Sequence, residues 1–454
     1  MALGARRAIP LVAYGAPAMS VMILSLAPTI YLPNFYVQEK GLPLGAVGLA
    51  FLAARAWDAV VDPLLGSLSD RTHSRFGRRK IWLVVTSIIL LGLTVLVFMP
   101  WFPVGLPFLV VGIIAWYTAF SAFWIPYLAW GPEIASGYQE RNVIIGLREA
   151  IALLGFFLAS ALMLVATKAA QPSLGATLQV FTYTLLVLMP VTVAGAAFFA
   201  PEPPQPEMAP AKGGIEEWRG AIRAFRRNGP FLRFIAAFFL LQLGLGVWNT
   251  VLPLFIGKAL LLPGKLNLMI FATFAIAAIA VPGAIWLAGR AGKHIVLCGG
   301  QCLYIAALAV LFFVPADNFA LVLPLLLPIG LGFCTMTVLP SSIVADTVDY
   351  YEFKHAEWRC GLHMAGLIFI GKLAFACSTA LAFGLLALAG FNANGPNDSG
   401  RLMFLRIVAL VIPGLLMAAG AALLIGFPIT RRRQAAIRRR LESRRLDPAH
   451  PAVA

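Results

Sequence analysis

The stretch ARAWDAVVDPLLG, residues 54–66, decides the fold because it places charged side chains inside an apolar segment long enough to span a bilayer. Arg55, Asp58 and Asp62 lie at positions i, i+3 and i+7 and therefore share one face of a helix. An ionisable group in a spanning helix costs roughly 2.5–3.5 kcal/mol. A stripe of three therefore faces a protein interior or a watery cavity. Two carboxylates about one turn apart suit a small cation or a shared proton.

The composition indicates a polytopic membrane protein. Of 454 residues, 60% are hydrophobic and only 12% are charged, whereas soluble domains contain roughly 45–50% apolar and about 25% charged residues. We predict no cleavable signal peptide, since Arg6 and Arg7 precede an apolar run without a small-residue cleavage site. The five cysteines have no metal-type spacing and are expected to pack.

Apolar windows of about 20 residues predict an all-α membrane protein with twelve transmembrane helices in two six-helix bundles. The predicted spans are 10–37, 43–69, 80–101, 106–134, 142–167, 177–200, 229–257, 267–289, 294–315, 319–348, 361–391 and 403–428.

The longest break between spans divides the chain into domains. We predict an N-terminal six-helix bundle over 1–200 and a C-terminal one over 229–430. The segment 201–228 opens with a proline-rich linker, and its pattern predicts a short amphipathic helix. A basic cytoplasmic tail follows over 431–454.

The distribution of basic residues predicts the orientation. With the N-terminus inside, 25 of the 35 Lys and Arg residues fall in inner segments and 5 in outer loops. This asymmetry places both termini and the linker in the cytoplasm. The net charge of +16 is therefore a topology signal rather than a nucleic-acid footprint. The arginine-rich tail is predicted to be a solvated stop signal, with contact to anionic lipid as the alternative.

The two halves of the chain resemble each other. The loop 63–80 after span 2 has a shorter counterpart, 282–293, after span 8, and the ends of spans 4 and 10 share a proline followed by acids. A lone cation follows in the next span of each half, Arg148 and Lys372. Parallel repeats of six spans are typical of alternating-access transporters.

Several motifs resemble a known family. One set resembles the loop 2–3 motif of the major facilitator superfamily: Gly66, Asp70, Arg71, Gly77, Arg78 and Arg79. A more specific set resembles the glycoside–pentoside–hexuronide:cation symporters, the melibiose permease group, which includes relatives of animal lysolipid carriers: Trp57–Pro63, Ser74–Arg79, Asp346–Lys354 and Gly371-Lys372. The resemblance implies the major facilitator fold and cation-coupled symport.

The resemblance also implies site residues. The cation site of the family maps to Asp58 and Asp62, which would hold sodium if the ion is sodium, and Ser121 is the candidate hydroxyl ligand from span 4. Arg148 and Lys372 match basic residues near the substrate and cation sites.

Two acids that sugar-transporting members carry are missing here. Residues 14–22 in span 1 and 121–124 in span 4 contain none. A simple galactoside is therefore not the expected substrate, and a more apolar or an anionic solute fits better.

Each candidate also has a structural interpretation. Asp58 and Asp62 could form a static network with Arg55, and Lys372 could be their partner. Arg148 could anchor a substrate or pair with Glu149 or Glu133. Trp124 and Tyr127 could line a cavity, although aromatic residues in spans more often pack or lie at the interface. His363, with no evident partner, is predicted to be structural.

A charged gate is predicted at the inner ends of the spans. Its acidic residues are Asp346, Asp349 and Glu133, and its basic residues are Arg71, Arg78 and Arg79. Ion pairs of this kind form in one state of a transporter and break in the other.

These patterns predict a secondary active transporter that couples a small organic solute, sugar-like by family, to sodium or protons. The alternatives are a carrier of lysolipids or other amphipathic or anionic solutes, and a non-transporting membrane sensor or scaffold. We expect no enzymatic activity, since no GxxxxGK[ST], HExxH or GxSxG motif occurs. We also expect no cofactor besides the coupling ion, no nucleic-acid partner, a monomer, and a place in the inner membrane of a bacterium.

Overall fold

The structure, a computed structural model, describes residues 5–72, 74–134, 138–166, 173–202, 220, 223–357 and 359–446. Over these residues the chain is built from helices and their connections, without a strand. Most of the predicted amphipathic helix of the linker lies outside the described residues; residues 223–227 are helical.

The first half contains six long helices. They are α1 (Ile9–Gln38), α2 (Leu44–Arg71), α3 (Arg78–Phe98), α4 (Leu106–Ile134), α5 (Tyr138–Ala166) and α6 (Leu174–Phe199).

The second half contains six more, followed by a helix in the tail. They are α7 (Gly229–Ala259), α8 (Pro263–Ala291), α9 (Lys293–Phe312), α10 (Phe319–His355), α11 (Cys360–Leu388), α12 (Ser399–Leu424) and α13 (Arg431–Leu446).

Each predicted span coincides with one of α1–α12. In the part of the chain that the structure describes, 11 helices are long and apolar enough to cross a membrane. The helix outside that set is α5, which at 29 residues has the length to cross but carries the Arg148–Glu149 pair. The predicted all-α membrane fold is therefore confirmed. We call the membrane side that carries the 201–228 linker the linker side, and the opposite side the far side.

Local geometry supports the internal repeat. Gly77 precedes α3 with φ 99° and ψ 139°, and Gly292 precedes α9 with φ 105° and ψ 138°. Such positive φ values favour glycine, because a side chain there is strained. α1 and α7 also match, since each contains a π-helical turn in its far-side half, at Ala27–Tyr31 and Phe255–Ala259.

The chain forms two compact units that do not coincide with its two halves. Unit 1 comprises Met1–Glu207, Gly246–Phe274 and Ala376–Ala409, and unit 2 comprises Met208–Leu245, Ala275–Phe375 and Leu410–Ala454. Unit 1 therefore contains the first six helices together with the far-side parts of α7, α8, α11 and α12. The predicted domain boundaries at 200 and 229 stay a prediction.

Within unit 1, polar side chains join the far-side parts of α1, α7 and α8. Asn34 is fully buried, and its Nδ2 donates to the carbonyls of Ile30 (2.9 Å) and Thr250 (2.7 Å). The Tyr31 hydroxyl donates to Oδ1 of Asn267 at 2.9 Å. α2 and α11 also pack closely there, since a Cβ on Gly48 would lie 3.3 Å from Ala380. These contacts link segments that are more than 200 residues apart.

Within unit 2, the tail is ordered. α13 buries Ile437 and Leu441 and packs on the end of α10. Gln434 Nε2 donates to Asp349 Oδ2 at 2.7 Å, and Arg438 Nε lies 3.2 Å from the same oxygen. The interpretation of residues 431–446 as a solvated basic end is therefore wrong, although the outer face of this helix is exposed.

Candidate functional site

The charged stripe of α2 contains an ion pair. Arg55 Nη1 donates to Asp58 Oδ2 at 3.2 Å, and the two side chains are 17% and 3% exposed. The Arg55 guanidinium also lies over the Tyr117 ring, 3.9 Å from its centroid, an arrangement that stabilises a cation. Asp62 lies one turn further along the same face and is half-buried. With Arg55 paired to one of two acids, the stripe carries net negative charge.

Ser121 lies at the depth of this stripe. Three contacts align α2 with α4, from the far side to the linker side: the Arg55 guanidinium over Tyr117, Trp57 Nε1 donating to Thr118 Oγ1 at 3.1 Å, and Gly66 facing Ile125. Interpolating between them places Ser121 level with the turn from Asp58 to Asp62. Its hydroxyl is buried and has no hydrogen-bond partner among the described residues. Because such a group is costly to leave unpaired, it indicates a ligand that is bound in another state.

The pair Arg148–Glu149 settles one alternative that the sequence left open. Arg148 Nη2 lies 2.5 Å from Oε1 of Glu149, whereas Glu133 pairs elsewhere. The Arg148 side chain is 10% exposed, and that of Glu149 is 59% exposed. The pair lies within about 6 Å of the midpoint of α5. An exposed carboxylate at this depth faces water rather than lipid. Glu149 was not assigned a site role from the sequence, although an acid in a span was the available signal.

Two aromatic candidates have different environments. Tyr127 is fully buried, and its hydroxyl donates to the backbone carbonyls of Tyr14 (2.9 Å) and Gly15 (3.2 Å). Tyr14 in turn interacts with the Arg148 guanidinium, so Tyr127 positions that arginine rather than forming a cavity wall. Trp124 is only half-buried, with its ring centroid 5.6 Å from that of Tyr127, and retains a face that a solute could contact.

Arg79 organises a charge cluster on the linker side of unit 1. The Arg79 side chain is buried and donates to Ser69 Oγ (2.6 Å), Asp70 Oδ1 (2.7 Å) and both oxygens of Glu133. Arg78 Nη2 lies 2.9 Å from Glu133 Oε1. Burial acts to raise the pKa of Glu133, but the two guanidinium groups outweigh it and hold the pKa below its ordinary value.

Glu202 belongs to this cluster and was missed from the sequence. Its carboxylate contacts the position that a Cβ of Gly77 would occupy, and Lys80 Nζ lies 3.9 Å from its Oε2. It also accepts hydrogen bonds from the backbone amides of Arg78 and Arg79, at the start of α3, where a helix favours negative charge. Burial nonetheless raises the pKa of the Glu202 carboxyl, with Lys80 acting in the opposite direction.

In unit 2 the predicted gate acids have partners of their own. Lys293 Nζ lies 2.7 Å from Asp346 Oδ1, and Asp349 binds Gln434 and Arg438 of α13. Pairing of Asp346 or Asp349 with Arg71, Arg78 or Arg79 stays a prediction; Arg71 is exposed.

Lys372 is half-buried on α11, next to Gly371, which lies against Phe238 and Gln242 of α7. Oε1 of Gln242 is buried without a hydrogen-bond partner among the described residues. Gln242 is therefore a further polar group in this region that sequence reasoning did not identify.

His363 has partners that the sequence did not reveal. Its Nδ1 lies 2.8 Å from the Arg359 carbonyl, and its Nε2 lies 3.1 Å from Asn228 Nδ2. Asn228 Nδ2 also donates to the Thr347 carbonyl at 3.0 Å. These contacts fit a neutral imidazole with its proton on Nδ1, and a structural role in unit 2.

A multivalent metal centre is not indicated by the described part of the chain, where no three His, Cys, Asp or Glu side chains are placed to hold a metal ion. Two carboxylates and a hydroxyl at one depth instead fit a monovalent cation or a proton.

Comparison with known proteins agrees with this geometry. The family model described as MFS/sugar transport protein matches residues 13–431. The isoprimeverose transporter of Lactiplantibacillus pentosus is 26% identical, covering 84% of this chain and 81% of that protein. The inner membrane symporter YicJ of Escherichia coli is 25% identical, covering 85% and 84%. The human sodium-dependent lysophosphatidylcholine symporter 1 is 22% identical, covering 86% and 78%.

Solved structures show the same fold. A bacterial homologue of the human lysosomal transporter Spinster superposes with a TM-score of 0.68 at 12% identity, covering 96% of this chain and 99% of that one. The nucleoside transporter NupG superposes with a TM-score of 0.65 at 12% identity, covering 93% of this chain and 100% of that one.

Proposed function

Because the chain belongs to the MFS/sugar transport protein family, we propose that it is a symporter that couples uptake of a small organic solute to sodium or protons through Asp58 and Asp62. The observation that carries the proposal is the α2 stripe. It combines a nearly inaccessible carboxylate paired with Arg55, a second carboxylate one turn away, and the unsatisfied Ser121 hydroxyl at the same depth.

The chemistry of the stripe suits reversible cation binding. A static pair would need one acid for one base, whereas here a second acid leaves a negative charge in a low-dielectric setting. That charge is neutralised either by a bound sodium ion, with carboxylate and hydroxyl oxygens as ligands, or by a proton held on one carboxyl. Both choices make binding depend on the ion gradient across the membrane.

The substrate class is supported by Arg148, Glu149 and Trp124. The Arg148–Glu149 pair offers both a donor and an acceptor at mid-depth, and Trp124 offers an apolar face. A glycoside-like solute can use all three, and so can the polar head of a lysolipid, which is the second candidate because a symporter of lysophosphatidylcholine is among the relatives. Simple galactosides are not expected, since spans 1 and 4 lack acids.

Orientation and location follow from the charge asymmetry. We place the linker side in the cytoplasm, with both termini there, in the inner membrane of a bacterium and as a monomer. Single cysteines at Ser74, Gly214 and Ser443 should resist a membrane-impermeant maleimide in intact cells and react after lysis. Labelling of any of the three in intact cells contradicts this orientation.

The proposed function is tested with purified protein in proteoliposomes. A thermal-shift screen against sugars, uronates, lysolipids and organic anions, with and without sodium, first identifies ligands, because binding to the folded state raises apparent stability. Uptake of each ligand is then measured under an imposed sodium or proton gradient. Accumulation above the external concentration supports symport. Ligand binding without any uptake supports the sensor or scaffold alternative.

A further inference from the structure

Two arginines and a tryptophan meet at the linker-side end of α8. The Arg290 guanidinium lies over the Trp286 ring, 4.0 Å from its centroid. Arg431, the first residue of α13, donates from Nη1 to the Arg290 carbonyl at 3.0 Å. The cation–π contact and this hydrogen bond hold the two arginines, from elements 141 residues apart, at one point of unit 2. Arg290 and Arg431 are both exposed.

An apolar surface adjoins these guanidinium groups. Trp286 is 57% exposed, and on the same helix Ile285 is 55% exposed. Ile425, between α12 and α13, is 73% exposed. Only 17% of the apolar window of α8 is buried inside the protein, the lowest share among the 11 spanning helices found in the described residues. The membrane must therefore supply most of the contacts of α8.

Charge and apolar surface are arranged in the order of a phospholipid. A guanidinium offers up to five N–H donors and binds phosphate in a bidentate manner, and tryptophan favours the level of the headgroups. Arg432 and Arg433 add exposed positive charge beside Arg431. We propose that Trp286, Arg290 and Arg431 form a binding site for the headgroup of an anionic phospholipid, with its acyl chains along Ile285 and Ile425.

This site goes beyond the proposed transport function, since its residues belong to neither the α2 stripe nor the Arg148–Glu149 pair. It also gives α13 a role. A lipid phosphate bound by Arg290 and Arg431 would bridge α8 to the helix that binds Asp349 on α10. Occupancy should therefore stabilise unit 2.

The experiment measures lipid binding to purified protein in detergent by native mass spectrometry and by the melting temperature. Dioleoyl phosphatidylglycerol, dioleoyl phosphatidylcholine and inorganic phosphate are titrated separately. For wild type we expect tight binding of one phosphatidylglycerol, a rise in melting temperature with that lipid, and neither effect with phosphatidylcholine or phosphate. Each basic residue near a membrane surface contributes about 1 kcal/mol to binding anionic lipid, so Arg290→Gln with Arg431→Gln should weaken binding ~30-fold.

The matched control is Arg439→Gln, which removes one charge from the exposed face of the same helix. It should keep wild-type binding of phosphatidylglycerol. If the double variant does not fold, Arg290→Gln alone serves, because the printed hydrogen bond at this point uses the Arg290 backbone and not its side chain. Trp286→Leu, which keeps every charge, should weaken binding several-fold.

Three results would overturn the proposal. One is equal binding of phosphatidylglycerol by wild type and by the Arg290 variants. Another is equal loss in Arg439→Gln, which would indicate attraction by net charge alone. The third is stabilisation by inorganic phosphate equal to that by phosphatidylglycerol, which would assign the site to a soluble anion.

Discussion

Replacing each acid of the α2 stripe with asparagine tests the coupling hypothesis most directly. Asn keeps the shape of Asp and removes the charge that attracts the cation. Asp62→Asn should therefore abolish gradient-driven accumulation while substrate binding and exchange survive. Asp58→Asn should also uncouple transport and should destabilise the protein more, because it leaves Arg55 without its ionic partner at 3.2 Å.

The size of both effects follows from the structure. Moving one elementary charge across 100 mV contributes about 2.3 kcal/mol, which corresponds to an accumulation ratio of ~50; an uncoupled variant should reach a ratio of about 1. Breaking a deeply buried ion pair costs about 3–5 kcal/mol. Arg55 is 17% exposed and stacks on Tyr117, so we expect about 1–3 kcal/mol for Asp58→Asn.

The assay is uptake into proteoliposomes under an imposed sodium or proton gradient, compared with counterflow in its absence. Asp398→Asn is the matched control. Its side chain is 67% exposed and caps α12 by accepting from the Arg401 amide at 2.7 Å, a role that asparagine fills equally well. It should transport like wild type.

The reasoning is refuted for a given residue if its Asn variant accumulates substrate at the wild-type ratio with wild-type stability. If the stripe is only a static network, both variants should lower yield and melting temperature while the protein that remains is still coupled.

Three further perturbations probe the rest of the chain. Gly77→Ala should lower stability by about 1–3 kcal/mol through its positive φ, and more in the presence of the Glu202 carboxylate; melting temperatures that show no smaller loss in a Glu202→Ala background would contradict the contact. Lys372→Ala should abolish concentrative uptake while the protein still reaches the membrane, and wild-type uptake would leave the lysine a packing role. Asn34→Leu removes two buried hydrogen bonds, one to Thr250, and should cost about 1–3 kcal/mol in unit 1; an unchanged melting temperature would show that the link is not stabilising.

The sequence determined the features that depend on neighbours along the chain. Spans follow from the cost of unpaired backbone groups in lipid, so apolar length alone located all twelve helices to within a few residues. Arg55 and Asp58 were placed on one face by their i, i+3 spacing, and the structure pairs them. The match of Gly77 to Gly292 was readable as a loop repeat. The cation-site roles of Asp58, Asp62 and Ser121 stay predictions, although their shared depth supports them.

Tertiary structure decided the partners that lie far apart in sequence. Arg148 had two plausible acids, and only packing against Tyr14 selected Glu149 over Glu133. The Asn34–Thr250 bond and the docking of α13 on Asp349 join segments 216 and 85 residues apart. Helix periodicity states which face of a helix is polar, but not which helix meets that face. That choice depends on the simultaneous packing of side chains from several helices, which no local pattern contains.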